Sequence, residues 1–318
     1  MKTKFLATAA LAILAAGCTN DDEAAPTDVL PADRQIRVIA GVNDLTTRAA
    51  GVESGTLKDF GLFISTIYTN IYMKKEGDDW KPYKDASSTS LDEPMLWQDP
   101  NMQVNVTAYS PYQNNVALNS YLSGTVKTNQ DDADASIASD FIYARSWVVP
   151  AQPITGLANS VTYDPQAKAL KINFYHKLCK LRINIKYGTE LTQNNHTPAM
   201  GKALLQKTNT GYTVNLNTGI VSAASPAVPA TITMSRLDTP TDGFAATFEA
   251  ILVPQTVVFG IGLMVDETLY QYTHSTDYAF ESGKLYRLDL TVGKDVQNIT
   301  SITTSDWIGG SSSDLKTE

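Results

Sequence analysis

Cysteine is nearly absent: the 318 residues hold two, Cys18 and Cys179. If Cys18 is modified, as its surroundings indicate, one thiol remains and no intrachain disulfide can form. Stability must then come from buried apolar surface, which a chain of this length can supply. Histidine is almost as scarce, with only His176, His196 and His274. No two of them stand at metal-ligand spacing, and there is no HExxH and no CxxC. Basic charge is short as well: 25 Lys and Arg face 33 Asp and Glu, a net charge of −8. That balance argues against nucleic acid, whose phosphates need a basic patch, and against an electrostatic grip on anionic lipid.

Catalytic signatures are missing too. There is no GxSxG elbow. Gly260 and Gly262 give half of a GxGxxG, with no third glycine and no helix signal after them. Asp132, Asp134 and Ser136 start like a calcium loop, but the required Gly is absent and the twelfth position is Tyr143 rather than Glu. A solvated acidic loop is the plainer reading. His176 falls on the apolar face of a strand and reads as packing, and His196, in Asn194–Pro198, as loop. Carboxylates are plentiful, yet nothing in the sequence pairs them. The chain reads as non-enzymatic, with no cofactor and no metal expected.

What is present begins at the N-terminus. Lys2 and Lys4 precede the apolar run Phe5–Ala16, then Gly17, then Cys18. Twelve residues fall short of the about 20 that span a bilayer. A basic start, a short apolar core and small residues at the cut describe a secretory signal peptide over 1–17. Cysteine directly after Ala15-Ala16-Gly17 resembles a bacterial lipobox, although Leu14 lies four residues before it rather than three. In that reading Cys18 becomes the acylated N-terminus, palmitate included, held in the outer membrane by about 0.8 kcal/mol per buried CH₂. The alternative is an ordinary leader with an incidental cysteine. Residues 18–33, with Asp21, Asp22, Glu23, Pro26 and Pro31, read as an acidic tether.

Beyond the tether, helical periodicity is hard to find. Short alternating runs rich in Thr, Val, Ile and Tyr recur between turn residues: Gln35–Val42, Lys58–Ser65, Met102–Tyr109, Leu170–Tyr187, Ala245–Val253, Thr256–Val265 and Lys284–Val292. Many such strands indicate an all-β sandwich architecture. In Lys284–Val292, Tyr286, Leu288, Leu290 and Val292 share one face, the mark of a half-buried strand. In Leu170–Tyr187 the apolar parity switches between Leu178 and Leu181, which suggests a β-bulge near Cys179-Lys180. Ala245–Val253 and Thr256–Val265, joined at Pro254-Gln255, look like a hairpin. A change of texture at Pro150, Pro153, Gly156 and Asn159 marks a boundary, giving 34–156 and 157–318 as domains.

Aromatic side chains crowd the first of these: Tyr68, Tyr72, Trp80, Tyr83, Trp97, Tyr109 and Tyr112. They serve either as sandwich core and strand surface or as a platform for a glycan or protein partner. Trp80, Tyr83 and Trp97 are the candidates for the second role, because Trp80-Lys81-Pro82-Tyr83 reads as a polar loop.

Several phrases in order resemble the fimbrillin family of Bacteroidales, lipoprotein precursors of surface pili. They are Thr46-Thr47-Arg48-Ala49, Phe60-Gly61-Leu62-Phe63-Ile64, Ala108-Tyr109-Ser110-Pro111-Tyr112 and Asp140-Phe141-Ile142-Tyr143-Ala144. Phe174-Tyr175-His176-Lys177-Leu178, Leu252-Val253-Pro254-Gln255 and the ending Thr304–Gly309 around Trp307 complete the series. The resemblance implies two transthyretin-like Greek-key β-sandwich domains in series and assembly with other fimbrial subunits by strand exchange. A protease cuts after the first strand, the strand leaves with the lipidated tether, and a neighbour's strand fills the groove. Here Arg48 and Ala49 would flank the cut, in a small-residue, polar stretch of the sort proteases nick.

After Trp307 the segment 309–318 carries one apolar residue, Leu315, and makes a poor donor strand. The expectation is a fimbrial subunit that accepts a strand without donating one, as at a tip, and meets a host glycan or protein receptor through exposed loops. The alternatives are an uncut, lipidated anchor subunit and a glycan-binding surface lipoprotein dependent on tryptophans such as Trp80 or Trp97.

Overall fold

The computed structural model describes residues 29–43, 55–87, 93–152, 160–227, 229–293 and 297–307. Cys18, Arg48 and Ala49 lie outside them, as do the leader and most of the tether. The first half contributes β1 (Arg37–Val42), β2 (Asp59–Ile64), β3 (Tyr68–Glu76), β4 (Asp79–Tyr83), β5 (Val104–Ser110) and β6 (Tyr121–Thr125). After the short helix α1 (Ala133–Ser139) come β7 (Ile142–Val148), β8 (Val161–Asp164) and β9 (Ala169–His176). The second half adds β10 (Cys179–Tyr187), β11 (Met200–Asn209), β12 (Gly211–Asn215), β13 (Ile220–Ala223), β14 (Pro229–Thr233), β15 (Ser235–Arg236) and β16 (Ala246–Leu252). It closes with β17 (Gln255–Val257), β18 (Gly260–Val265), β19 (Thr268–Thr273), β20 (Tyr278–Phe280), β21 (Lys284–Val292) and β22 (Gln297–Asp306). The all-β expectation holds.

The largest sheet runs β1-β9-β7-β5-β2-β3-β4, with β8 also on β9; a second runs β15-β16-β10-β21-β22 and a third β14-β11-β18-β19. Two apolar clusters fill the interior. One is drawn from Leu30 to Phe174, the other mainly from Leu178 to Trp307. The second also takes in Phe63, Tyr109 and Tyr143 of the large sheet, and Phe141 just before β7. Further links join the two halves. β6 pairs with β12, and buried Gln130 donates Nε2–H to the Ile251 carbonyl while its Oε1 accepts the Ile251 N–H, both at 2.8 Å.

Inside the large sheet, Gly61 of β2 sits opposite Tyr109 of β5. The tyrosine ring crosses the space a Cβ would need, leaving 2.3 Å to Cε1, and its hydroxyl donates to Asn70 Oδ1 at 2.7 Å. In β21 the sequence register is kept in full: Tyr286, Leu288, Leu290 and Val292 are buried.

Three local readings change. The parity switch after Leu178 is not a bulge inside one strand. β9 ends at His176 in the large sheet and β10 begins at Cys179 in the next, so the buried face changes because the chain changes sheet. The expected hairpin at Pro254-Gln255 is not one either. β16 lies between β15 and β10, while β18 lies between β11 and β19. Pro254 has no N–H to continue a ladder, and Gln255 pairs instead with Phe280. Finally, Asp132 caps α1 rather than standing in a solvated loop, its Oδ1 accepting the Ala135 N–H at 2.6 Å.

Near the C-terminus, β22 pairs with β21 from Lys284↔Asp306 to Val292↔Gln297. The next residue, Trp307, is buried. Its N–H donates to the Gly283 carbonyl at 2.7 Å, and its indole stacks on His176 with ring centres 3.9 Å apart. His176 Nδ1 in turn meets Asp140 Oδ2 at 2.8 Å, and Lys180 Nζ lies 4.7 Å from the indole centre. His176 therefore packs, as its place on the apolar face indicated.

Candidate assembly groove

β1 earns its strand by alternation. Ile36, Val38 and Val42 are buried, Arg37 and Ile39 face out, and Ala40 is half-buried. Arg37 is held outward by a two-point ion pair with Asp33, its Nη2 2.7 Å from Oδ2. The Asp33 carboxyl is lowered below its ordinary range by that hydrogen bond.

Among the described strands β1 stands at the end of the large sheet, paired with β9. The pairing is parallel, from Arg37↔Ala169 to Val42↔Phe174, and the Asn43 N–H extends it to the Phe174 carbonyl at 2.8 Å. At the entrance, the Ile36 N–H donates to the Met95 carbonyl and the Trp97 N–H to the Arg34 carbonyl, both at 2.8 Å. Exposed Ile67, Leu96 and Met102 border an apolar slot beside Ile36. The arrangement is a sheet edge filled by six residues, over a cluster that includes Phe60, Trp80 and Phe174. Phe60 lies edge-on to both others, 4.8 Å from Trp80 and 5.3 Å from Phe174 between ring centres.

The expected adhesive aromatics fare differently. Trp80 belongs to strand β4, not to a polar loop, and is buried against Phe60. Trp97 is buried edge-on to Tyr163 at 5.6 Å. Both indoles face the core and present no surface platform. Strand alternation explains Trp80: with Asp79 and Lys81 outward, the residue between them must point in. Tyr83 remains half-exposed, its hydroxyl donating to Glu76 Oε1, which raises its pKa, with Lys74 Nζ 5.9 Å from the ring. The exposed indole is Trp147, 55% accessible, which the sequence reading passed over. Its parity was the signal, since Ile142, Ala144 and Val148 point inward and Trp147 must point out.

The sequence matches the fimbrillin-like family model over residues 47–307. The chain belongs to the fimbrillin-like family. That family is one of fimbrial and cell-adhesion proteins, not of enzymes. Among curated proteins none matches. The fold of this fimbrillin-like chain is similar to that of a candidate cell adhesion protein from Bacteroides ovatus, with a TM-score of 0.62 and 19% identity over 86% of this chain and 98% of that one. A candidate cell adhesion protein from Bacteroides uniformis gives 0.58 and 18% over 87% and 99%. A fimbrial protein from Bacteroides vulgatus gives 0.51 and 12% over 86% and 99%. At such identities the likeness is one of fold.

Proposed function

We propose that this chain is a structural and adhesive subunit of a cell-surface fimbria. It is exported as a lipoprotein through Cys18, cut between Arg48 and Ala49, and joined to its neighbours by strand exchange in the groove that β1 vacates. The observation that carries the reading is β1: among the described strands a terminal one, paired with β9, with Val38 and Val42 buried and Ile36 buried just before it. It is followed directly by the segment holding Arg48.

Removing β1 strips the 169–174 edge of its partner and bares the apolar cluster. Each buried Val or Ile contributes on the order of 1.5–3 kcal/mol, so the emptied groove costs several kcal/mol. Unpaired strand N–H and C=O groups add to that cost and template a new strand. An incoming strand with the same alternation, parallel to β9, would restore both terms. The cut subunit is thereby ready to assemble.

A terminal, tip-like position is supported by the other end. β22 is paired to β21 and followed by buried Trp307, so in this subunit it serves its own sheet.

N-terminal sequencing of the assembled surface protein tests the reading. Ala49 as first residue is the expected result. An acylated Cys18 on assembled protein would overturn the cut and make the chain an uncut membrane anchor.

A further inference from the structure

We propose that the outer face of the large sheet carries a binding cleft for a carboxylated saccharide, built around Trp147, Tyr175, Arg145 and Lys177. The proposal rests on the adhesive reading above, to which it gives a ligand class, and is independent of strand exchange.

The cleft follows from strand parity. In β7, Ile142, Ala144 and Val148 enter the first apolar cluster, which turns Tyr143, Arg145 and Trp147 to the opposite face. Cross-strand register sets Trp147 opposite Asn105 and Tyr143 opposite Tyr175. At one end this face is roofed by the turn between β12 and β13. The Tyr143 hydroxyl donates to the Leu216 carbonyl at 2.7 Å, and Gly219, at φ +68°, lies flat on the ring where a Cβ would come within 2.5 Å. The roof stops at Thr218. Beyond it opens a cleft of about 360 Å³ lined by Asn105, Arg145, Trp147, Tyr175, Lys177 and Thr218, within the range of small-ligand sites.

Three features select the ligand. The first is the indole. Trp80, Trp97 and Trp307 are buried, and Trp147 is 55% exposed at the rim of this cleft, with the Tyr175 ring in the same lining. Flat aromatic faces in partly wet sites suit the apolar C–H face of a pyranose ring.

The second is charge. The chain is acidic overall, yet the cleft places two half-buried cations together. Arg145 Nη1 donates to the neutral Asn217 Oδ1 at 3.3 Å, and Lys177 Nζ lies 5.6 Å from the Tyr143 ring centre. Among the described residues neither is in an ion pair. Burial lowers the pKa of Lys177, the mark of a cation short of solvation. A carboxylate placed between the two would supply the missing counter-charge through charge-assisted hydrogen bonds.

The third feature argues against an extended peptide. At Arg145 the backbone edge of β7 is closed by Ser160, whose Oγ accepts the Arg145 N–H at 2.8 Å and donates to its carbonyl at 2.9 Å. No free ladder is offered there for strand addition. The uncharged polar groups of the lining include the Asn105 amide, whose Oδ1 accepts from Thr107 Oγ1 at 3.3 Å, and the Thr218 hydroxyl, which accepts the Ile220 N–H at 3.3 Å.

Uronic acids and sialic acids share this chemistry, and the test separates them. The purified full chain is titrated with 3′-sialyllactose, a galacturonic acid trisaccharide, lactose and maltotriose, following tryptophan fluorescence and calorimetric heat. At least one acidic saccharide should bind about tenfold more tightly than the neutral ones, and salt should weaken it. Trp147→Ala, at an exposed position, should lower affinity about tenfold or more. Arg145→Gln, alone or with Lys177→Gln, should bring the acidic sugar down to the neutral level. No binding of either acidic saccharide by about 10 mM, equal binding of neutral sugars, or binding that survives Trp147→Ala would overturn the site. Such a failure leaves the Ala49 N-terminus and strand uptake untouched, so the two readings fail separately.

Discussion

Val38 of β1 lies in parallel register with Leu170 of β9, and both side chains are buried, at 8% and 0% exposure. A strand at the end of the described sheet order thus contributes to the core. Val38→Ala should cost the uncut chain about 2 kcal/mol, read as a lower melting temperature. Filaments should be unaffected, because the altered strand leaves before assembly. Normal cutting followed by defective polymer would contradict the removal of β1.

Gln130 satisfies both backbone groups of Ile251 from the far half of the chain. Gln130→Ala leaves a buried N–H and C=O facing an apolar space, at about 2 kcal/mol or more. Urea unfolding should show that loss. Gln130→Glu should be worse than conservative, since a carboxylate cannot donate to the Ile251 carbonyl. An unchanged urea midpoint in either variant would remove the clamp from the account.

Asp59, at the start of β2, has its pKa raised above 3.8 by burial, against the lowering effect of its hydrogen bond to Tyr72. The folded state therefore holds the proton more tightly than the unfolded state. Between 3.8 and the folded value the unfolded chain has already released it, so stability falls as pH rises through that interval. Asp59→Asn keeps a hydrogen-bond acceptor for Tyr72 and stays neutral. Its advantage over the native chain should be larger at pH 7 than at pH 4, by denaturant midpoint. A constant difference would show that Asp59 is not the group responsible.

The segment after Trp307 bears on polarity of assembly. Because β22 and Trp307 are already engaged, deleting Ser311–Glu318 should leave incorporation into filaments intact. Loss of incorporation on that deletion would make this segment a donor.

Much of the fold was legible where one face of a strand meets solvent. β21 was readable residue by residue, because Arg287 alternating with buried apolar neighbours admits one register. The bulge and hairpin readings failed where both faces are buried. β16 is buried along its whole length, and such a run carries no periodicity to say which strand lies beside it. Trp80 and Trp97 were misplaced for a related reason: aromatic content signals a sheet, but only parity tells core from surface. The cleft beside Trp147 depends on β12 and β13 arriving over β7, a contact between residues some seventy positions apart. No local pattern could have announced it.

The most direct measurement is strand uptake by chain cut after Arg48, mixed with a labelled peptide spanning Gln35–Asn43 and followed by native mass spectrometry and thermal melting. Exchange of the resident β1 segment for the peptide, with the melting temperature falling when the groove is emptied and recovering when it is filled, is the predicted result. A cut chain that takes up no peptide, and keeps its full melting temperature once the β1 segment has been removed, would contradict it.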